Sequence, residues 1–244
     1  MTIILVSALV LPIINIDWTG AGNKDAVAES ALNGYSIPLA TIAPEDCSLK
    51  SSYKEEWDLI VCEHFTENTD LWVGSSGGTT VTLDDGSYKV DNINLVERVD
   101  SSGYTVPILV GAAENMMMSV TGSMDCLEGE CAWGVFMRSK FDEIVHIFMI
   151  DEVGKFSFTG LSSEETSQSL GNIQTDNHSA IQPDDENTIT AVAEGKQMML
   201  YVNGQLLVTH DAFDAENPAF GLIVWGGPSS RAVNRFESVM VRRN

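Results

Sequence analysis

Basic residues are scarce in this chain. Among 244 residues, 13 Lys and Arg stand against 35 Asp and Glu, so the formal net charge is −22. A field of this sign repels phosphate backbones and anionic lipid surfaces, because few cations are present to displace their counterions. The composition therefore excludes nucleic acid as an expected partner. It is compatible with Ca²⁺, uncharged sugars or basic partners, and with simple solubility.

Several catalytic and metal-binding motifs are also absent. The sequence has no CxxC, and its histidines are isolated rather than spaced to complete a zinc site. No Ser or Cys lies in a nucleophile-elbow pattern, and the glycine-rich stretch Gly74–Gly78 is not followed by a helical pattern that could hold a phosphate. Nucleotide chemistry and structural zinc are therefore not predicted.

Cysteine is sparse, and its placement suggests disulfides. Cys126 and Cys131 lie in CLEGEC, where a hairpin turn is expected between two apolar runs. A bond there would contribute ~2 kcal/mol in the loop-entropy model. Cys47 and Cys62 are the natural second pair, although four cysteines permit three pairings. Two disulfides predict an extracellular or cell-surface location; the alternative is free buried thiols in a cytosolic protein.

The amino terminus is the one long apolar run. Within residues 1–16, the stretch from Ile3 to Ile16 is nearly all apolar, and its length of about 14 residues is too short to span a bilayer as a helix. The run resembles the core of a secretory signal, although a basic start is missing. The alternatives are an anchor or assembly segment through which the chain self-associates into a filament, and an ordinary core element. Residues 17–62 form an irregular lead-in in which Lys24–Asn33 could be a short helix.

Short β runs separated by turn signals occupy residues 63–243. Thr79–Leu83 and Ser87–Val90 flank an Asp-Gly turn, and Asn203-Gly204 between alternating apolar runs predicts a type I′ hairpin. The spacing has neither a βαβ rhythm nor a repeat. The fold class predicted is all-β, an antiparallel two-sheet β-sandwich with an irregular amino-terminal extension.

The order of these elements resembles the concanavalin A-like lectin/glucanase superfamily. It is most similar to the jelly-roll branch with laminin-G-like and 3-keto-disaccharide hydrolase-like domains. The matching stretches are Phe65 with Trp72, Asp85–Val90, Gly134–Arg138, His146–Phe158, Glu186–Ala212, Phe220–Trp225 and Phe236–Val241. The resemblance implies a two-sheet jelly roll and is poorly specific for function.

The glucanases of this superfamily place carboxylates at alternating positions of one strand, in an E-x-D-x-x-E pattern. Alternation matters because it brings the carboxylates to one sheet face around the glycosidic oxygen. Here Glu143 is followed on its own face by Val145, Ile147 and Met149, with no carboxylate before Asp151. The sequence therefore leans against an enzyme, although carboxylates from distant strands could still form a pair.

Candidate ligand-binding residues are aromatic rings with polar neighbours. Trp133, Trp225 and Tyr201 are candidate stacking platforms for a sugar, and Arg138 and Asn203 are candidate hydrogen-bonding partners. The alternatives are that the two tryptophans belong to the core and that Arg138 forms a structural ion pair.

Three aspartates are candidate metal ligands. Asp84, Asp85 and Asp151 lie in expected turns and could offer oxygen ligands to Ca²⁺. EF-hand spacing is missing, so solvated turns are the alternative. No other cofactor is expected.

Three functions are compatible with these features. The first is a secreted or cell-surface non-catalytic domain that binds carbohydrate, such as a cell-surface glycan, or serves adhesion. The second is a structural subunit of an extracellular assembly joined through residues 1–16. The third is a glycoside hydrolase of the 3-keto-disaccharide type.

Overall fold

The structure, a computed structural model, describes residues 53–65, 75–76, 79–84, 86–93, 102–108, 115–140, 144–162, 169–211, 219–227 and 229–244. Residues 1–16, the helix expected at Lys24–Asn33, Cys47, Trp72 and Asp85 lie outside this part. Within the described ranges, no helix is long and apolar enough to cross a membrane.

Every regular element in the described residues is a β-strand. The strands are β1 Asp58–Glu63, β2 Ser75–Ser76, β3 Thr79–Asp84, β4 Ser87–Ile93, β5 Ser102–Ile108, β6 Asn115–Glu128, β7 Cys131–Lys140, β8 Ile144–Asp151, β9 Lys155–Ser162, β10 Ser169–Asn177, β11 Asn187–Glu194, β12 Gln197–Val202, β13 Gln205–His210, β14 Ala219–Gly226 and β15 Arg231–Arg243. The prediction of an all-β chain is confirmed.

The strands form two antiparallel sheets that are not closed into a barrel. The larger sheet has nine strands in the order β13-β12-β11-β6-β15-β4-β3-β2, with β1 paired to the carboxyl-terminal half of β15. The smaller sheet has six strands in the order β10-β9-β8-β7-β14-β5. Because β1 begins at Asp58, the sandwich includes residues upstream of the expected boundary at Glu63.

The two hairpin predictions are confirmed in their pairing. Asn203 and Gly204 both have positive φ, 49° and 80°, as a type I′ turn requires, and they connect β12 to β13. Gly86, with φ 77°, precedes β4, and Asp84 pairs with Ser87 across that turn. Asparagine and glycine tolerate this left-handed region, so these turns are encoded locally.

The core lies between the sheets, and each sheet therefore has a core face and an outer face. Trp133 of β7 is 1% exposed and meets Phe236 of β15 edge-on, with ring centroids 5.5 Å apart. Phe65 stacks on Tyr88 at 5.3 Å. Methionines fill much of the remaining space: Met116, Met118, Met124, Met137 and Met198. Flexible thioether side chains suit the irregular gaps between two twisted sheets.

Candidate functional site

The outer face of the smaller sheet is apolar along its central strands. Phe136 of β7, Ile147 of β8 and Ile223 of β14 form one cluster there, with Met149 packed against it. The next residues along β8, Phe148 and Ile150, belong to the core instead. Strand alternation thus places Ile147 and Met149 on the face expected to carry catalytic carboxylates in a glucanase. The side chains of Glu143 and Val145 lie outside the described part of the chain.

Trp225 extends this outer face towards the end of the sheet. It lies two residues beyond Ile223 on β14, so the two side chains share a face. Its cross-strand neighbours are Gly103 on one side and Ala132 on the other. Both are small, and the indole is only partly buried. Part of the ring is therefore accessible to a ligand.

Asp151 lies in the same row of residues, one strand further on. It pairs with Ala132, which pairs with Trp225, so two strand spacings, roughly 10 Å, separate Asp151 from Trp225. Its Oδ1 accepts hydrogen bonds from the backbone N–H groups of Val153 (3.1 Å) and Lys155 (2.8 Å). These bonds fix the β8–β9 turn. Burial raises the pKa of Asp151, the two backbone bonds oppose that rise, and the neighbouring Glu152 adds to it.

We call Trp225, Met149, Asp151 and the flanking Gly103 and Ala132 the Trp225 face. Two more acidic residues, Glu152 and Glu130, lie just beyond the strand ends next to this face. Glu152 Oε2 accepts a hydrogen bond from Cys131 N–H (3.0 Å), and Gly227 N–H donates to the carbonyl of Glu130 (2.8 Å). The Trp225 face therefore combines an aromatic ring with a carboxylate border.

The other sequence-predicted ligand residues lie elsewhere in the sandwich. Trp133 is buried in the core, so its ring does not face solvent. Tyr201 lies on the outer face of the larger sheet, where its ring centroid is 4.4 Å from that of Tyr53. Arg138 pairs with Ala219 through its strand, and its side chain is outside the described residues. The structure thus brings none of these three next to Trp225.

Asn203 is engaged in a structural network. Its Oδ1 accepts from Thr188 N–H (2.8 Å), and its Nδ2 donates to the carbonyl of Ala180 (2.8 Å) and to Asn187 Oδ1 (2.9 Å). Asn187 in turn donates to the carbonyl of Gln182 (2.7 Å). Asn203, which the sequence suggested as a hydrogen-bonding partner for a sugar, instead connects a hairpin turn to the loop before β11.

Metal binding is not supported by a cluster in the described residues. Among them, no group of three or more His, Cys, Asp or Glu side chains could hold a metal ion. Asp151 caps a turn, the side chain of Asp84 lies outside the described side chains, and so does all of Asp85. A Ca²⁺ site at these aspartates stays a prediction.

The expected disulfide of the CLEGEC hairpin is present. Cys126 and Cys131 are bonded, and because β6 and β7 belong to different sheets, the bond clamps the sandwich at the turn between them. Cys62 is also disulfide-bonded, while Cys47 lies outside the described residues, so their pairing stays a prediction.

A segment that the sequence did not reveal crosses the larger sheet. Residues 53–57 lie on its outer face, where Trp57, 4% exposed, packs on Met117, Val192 and Met240. Arg242 Nη1 donates to the carbonyl of Trp57 (3.0 Å). The sequence did contain a signal for this packing, because the aromatic residue Trp57 directly precedes the apolar strand β1.

Two further polar contacts fasten the same segment. Tyr53 O–H donates to the carbonyl of Gly204 (2.7 Å), and Lys54 forms an ion pair with Glu194 (2.7 Å). Burial raises the pKa of Tyr201, which lies beneath Tyr53. Part of the assumed lead-in is thus integral to the sandwich, and it covers one face of the Tyr201 ring.

A second missed feature joins histidines that are distant in sequence. His146 of β8, 3% exposed, stacks on Phe158 at 5.8 Å and lies 5.2 Å from the ring of His210, at the end of β13. Burial, and then the charge of His210, lowers the pKa of His146 to about 4. The contact between the two histidines links the two sheets at one edge. It could not be predicted from the sequence, because it depends on how the two sheets pack together.

Comparison with known proteins identifies the architecture. No protein-family model matches the chain, and no curated protein matches it in sequence. Solved structures do match. An endo-β-galactosidase from Clostridium perfringens aligns with a TM-score of 0.60 at 8% identity, over 80% of this chain and 65% of that one. An endo-β-1,3-glucanase from Pyrococcus furiosus aligns with a TM-score of 0.57 at 10% identity, over 77% and 94%.

A third match has the same pattern. The catalytic domain of a Thermotoga petrophila laminarinase aligns with a TM-score of 0.54 at 11% identity, over 77% of this chain and 98% of that one. The fold is a concanavalin A-like jelly roll. At these identities the matches establish the fold of the jelly roll and leave its chemistry to the residues of this chain.

Proposed function

We propose that this jelly roll is a non-catalytic carbohydrate-binding domain of an extracellular or cell-surface protein, and that its glycan stacks on Trp225. The observation that carries the proposal is the composition of the outer face of the smaller sheet. The described side chains at its centre are Phe136, Ile147, Met149 and Ile223, which cannot transfer a proton. Phe136, Ile147 and Ile223 are at most 6% exposed, so a ligand on this face would contact Trp225 rather than these three side chains. Trp225 supplies a partly open ring beside them.

Two further observations support the proposal. The structural neighbours are named for acting on glycans: an endo-β-galactosidase, an endo-β-1,3-glucanase and a laminarinase. Sugar rings present apolar C–H faces, which pack on indole while their hydroxyl groups bond to polar neighbours. The disulfide Cys126–Cys131 is compatible with an oxidising compartment.

The proposal is tested on an array of oligosaccharides. We expect binding to at least one glycan, and Trp225→Ala to weaken that binding roughly tenfold or more, as loss of a buried tryptophan contact does. Trp225→Phe keeps a ring and should retain part of the affinity. Tyr201→Ala removes an aromatic ring from the opposite sheet and serves as the matched control.

The outcomes of this experiment distinguish between the proposed binding surface, a different surface and a different function. Binding that survives Trp225→Ala but not Tyr201→Ala would place the site on the larger sheet and overturn the proposed surface. Absence of any bound glycan would overturn the function itself. Release of reducing ends from a bound glycan would favour the glycoside hydrolase, and a carboxylate substitution such as Asp151→Asn would then have to abolish that release.

The assembly hypothesis depends on residues 1–16, which lie outside the described part of the chain. It stays a prediction.

A further inference from the structure

The border of the Trp225 face is acidic. Asp151 lies in the same row as Trp225, Glu152 follows it and reaches back to Cys131, and Glu130 lies across from Gly227, two residues beyond Trp225. A β-carbon added to Gly227 would lie 3.3 Å from Cβ of Glu130, so the two strand ends are in contact. Three carboxylate residues thus lie at the strand ends near Trp225, with Asp151 roughly 10 Å from it.

Among the described residues, few basic side chains lie near these three carboxylates to neutralise them. Lys155 is exposed and donates its backbone N–H to Asp151. Arg231 begins β15 in the larger sheet, where its cross-strand partner is Glu128. The border therefore keeps an excess of negative charge, in a chain whose formal net charge is already −22.

We infer that the Trp225 face takes uncharged glycans and rejects anionic ones, with Glu130, Asp151 and Glu152 as its specificity-determining residues. The inference rests on the proposed function and adds the class of ligand. Carboxylate or sulfate groups on a sugar stacked against Trp225 would lie within roughly 10 Å of this border, given the strand spacing. At that distance the repulsion weakens binding roughly two- to fourfold for each anionic group at low salt.

The test compares one glycan in two charge forms. Each neutral oligosaccharide on the array is printed beside its sulfated or carboxymethylated counterpart, and affinities are measured at about 20 mM and about 0.5 M salt. We expect the neutral form to bind more tightly at low salt. The difference should shrink at high salt, because exposed charges are then screened.

Substitutions test whether these three carboxylates cause the discrimination against anionic glycans. The border variant Glu130→Gln, Asp151→Asn and Glu152→Gln removes the charge but keeps side-chain oxygens that can accept the bonds from Lys155 N–H and Cys131 N–H. Its discrimination against the anionic form, measured as the ratio of the affinities for the neutral and the anionic glycan, should largely disappear. The matched control is Glu55→Gln, Glu56→Gln and Asp58→Asn, which removes three exposed carboxylates near the larger sheet.

The outcomes separate the inference from the function on which it rests. Equal affinity for both charge forms in the parent protein would overturn the inference and leave carbohydrate binding intact. Equal loss of discrimination in the border variant and in the control would assign the effect to net charge and overturn the role of these three residues. Absence of any bound glycan would overturn both.

Discussion

His146 makes the stability of the sandwich dependent on pH. The imidazole is enclosed between the sheets against Phe158 and His210, and burial there disfavours its charged form. Its pKa falls from the ordinary 6.5 to about 4 in the folded chain. Between these two values the unfolded chain binds more protons than the folded chain. The free energy of unfolding therefore falls as the pH falls through this window.

The size of the effect follows from the two pKa values. Below both of them the lost stability approaches roughly 3 kcal/mol, and at about pH 5 it amounts to about 2 kcal/mol relative to pH 7. A typical domain has only about 5–15 kcal/mol of stability, so a loss of this size is measurable. Urea unfolding followed by tryptophan fluorescence at several pH values provides the assay.

His146→Phe isolates the contribution of this residue. Phenylalanine keeps the stacking on Phe158 but does not titrate, so the stability of this variant should fall by about 2 kcal/mol less than that of the parent between pH 7 and about pH 5. His210→Gln removes the second cause of the lowered pKa and should reduce the fall only in part. His64→Gln, which replaces a histidine at a partly exposed position outside this cluster, is the control.

One result would refute this reasoning. If parent and His146→Phe lose the same free energy of unfolding over this pH range, His146 does not titrate differently in the folded and unfolded chains. Proton NMR of the folded parent gives an independent measurement, since the His146 ring resonance should not shift until the pH approaches about 4.

Three other predictions concern stability. Replacing Cys126 and Cys131 by Ser should cost about 2 kcal/mol in urea unfolding, because the loop that they close is short; an unchanged midpoint would contradict this. Asn203→Ala should cost about 2 kcal/mol or more, since it leaves buried partners unsatisfied and strains a positive φ. Asn203→Gly, which loses the same hydrogen bonds but tolerates the positive φ, should cost less in the same assay. Asn234 is 1% exposed, and neither polar atom of its side chain has a hydrogen-bond partner among the residues that the structure describes. Asn234→Leu should therefore raise the thermal midpoint, and a lowered midpoint would point to a bound internal water.

Local signals in the sequence predicted the local parts of the fold. The hairpin at Asn203-Gly204 followed from the preference of these residues for positive φ, a property that does not depend on the rest of the chain. The alternation of Ile147 and Met149 along β8 likewise followed from strand geometry alone. Both features could be read from a few neighbouring residues.

Features that depend on which strands pair could not be read in this way. Both faces of β7 are buried, so its sequence does not tell which face of the smaller sheet meets the larger sheet. Trp133 and Trp225 looked equivalent in the sequence, yet Trp133 lies in the core and Trp225, two residues beyond Ile223 on β14, lies on the outer face. The contact between His146 and His210 likewise requires the sandwich to close.

The position of β15 in the larger sheet has a consequence for synthesis of the chain. This strand follows every other described strand in the sequence, but it lies between β6 and β4 and also holds β1. While a ribosome is still making the strands before it, β6 and β4 have no partner at that edge and offer open hydrogen-bonding groups to other chains. The larger sheet can therefore be joined only after β15 emerges, and a nascent chain stalled before Arg231 would depend on chaperones to stay unaggregated.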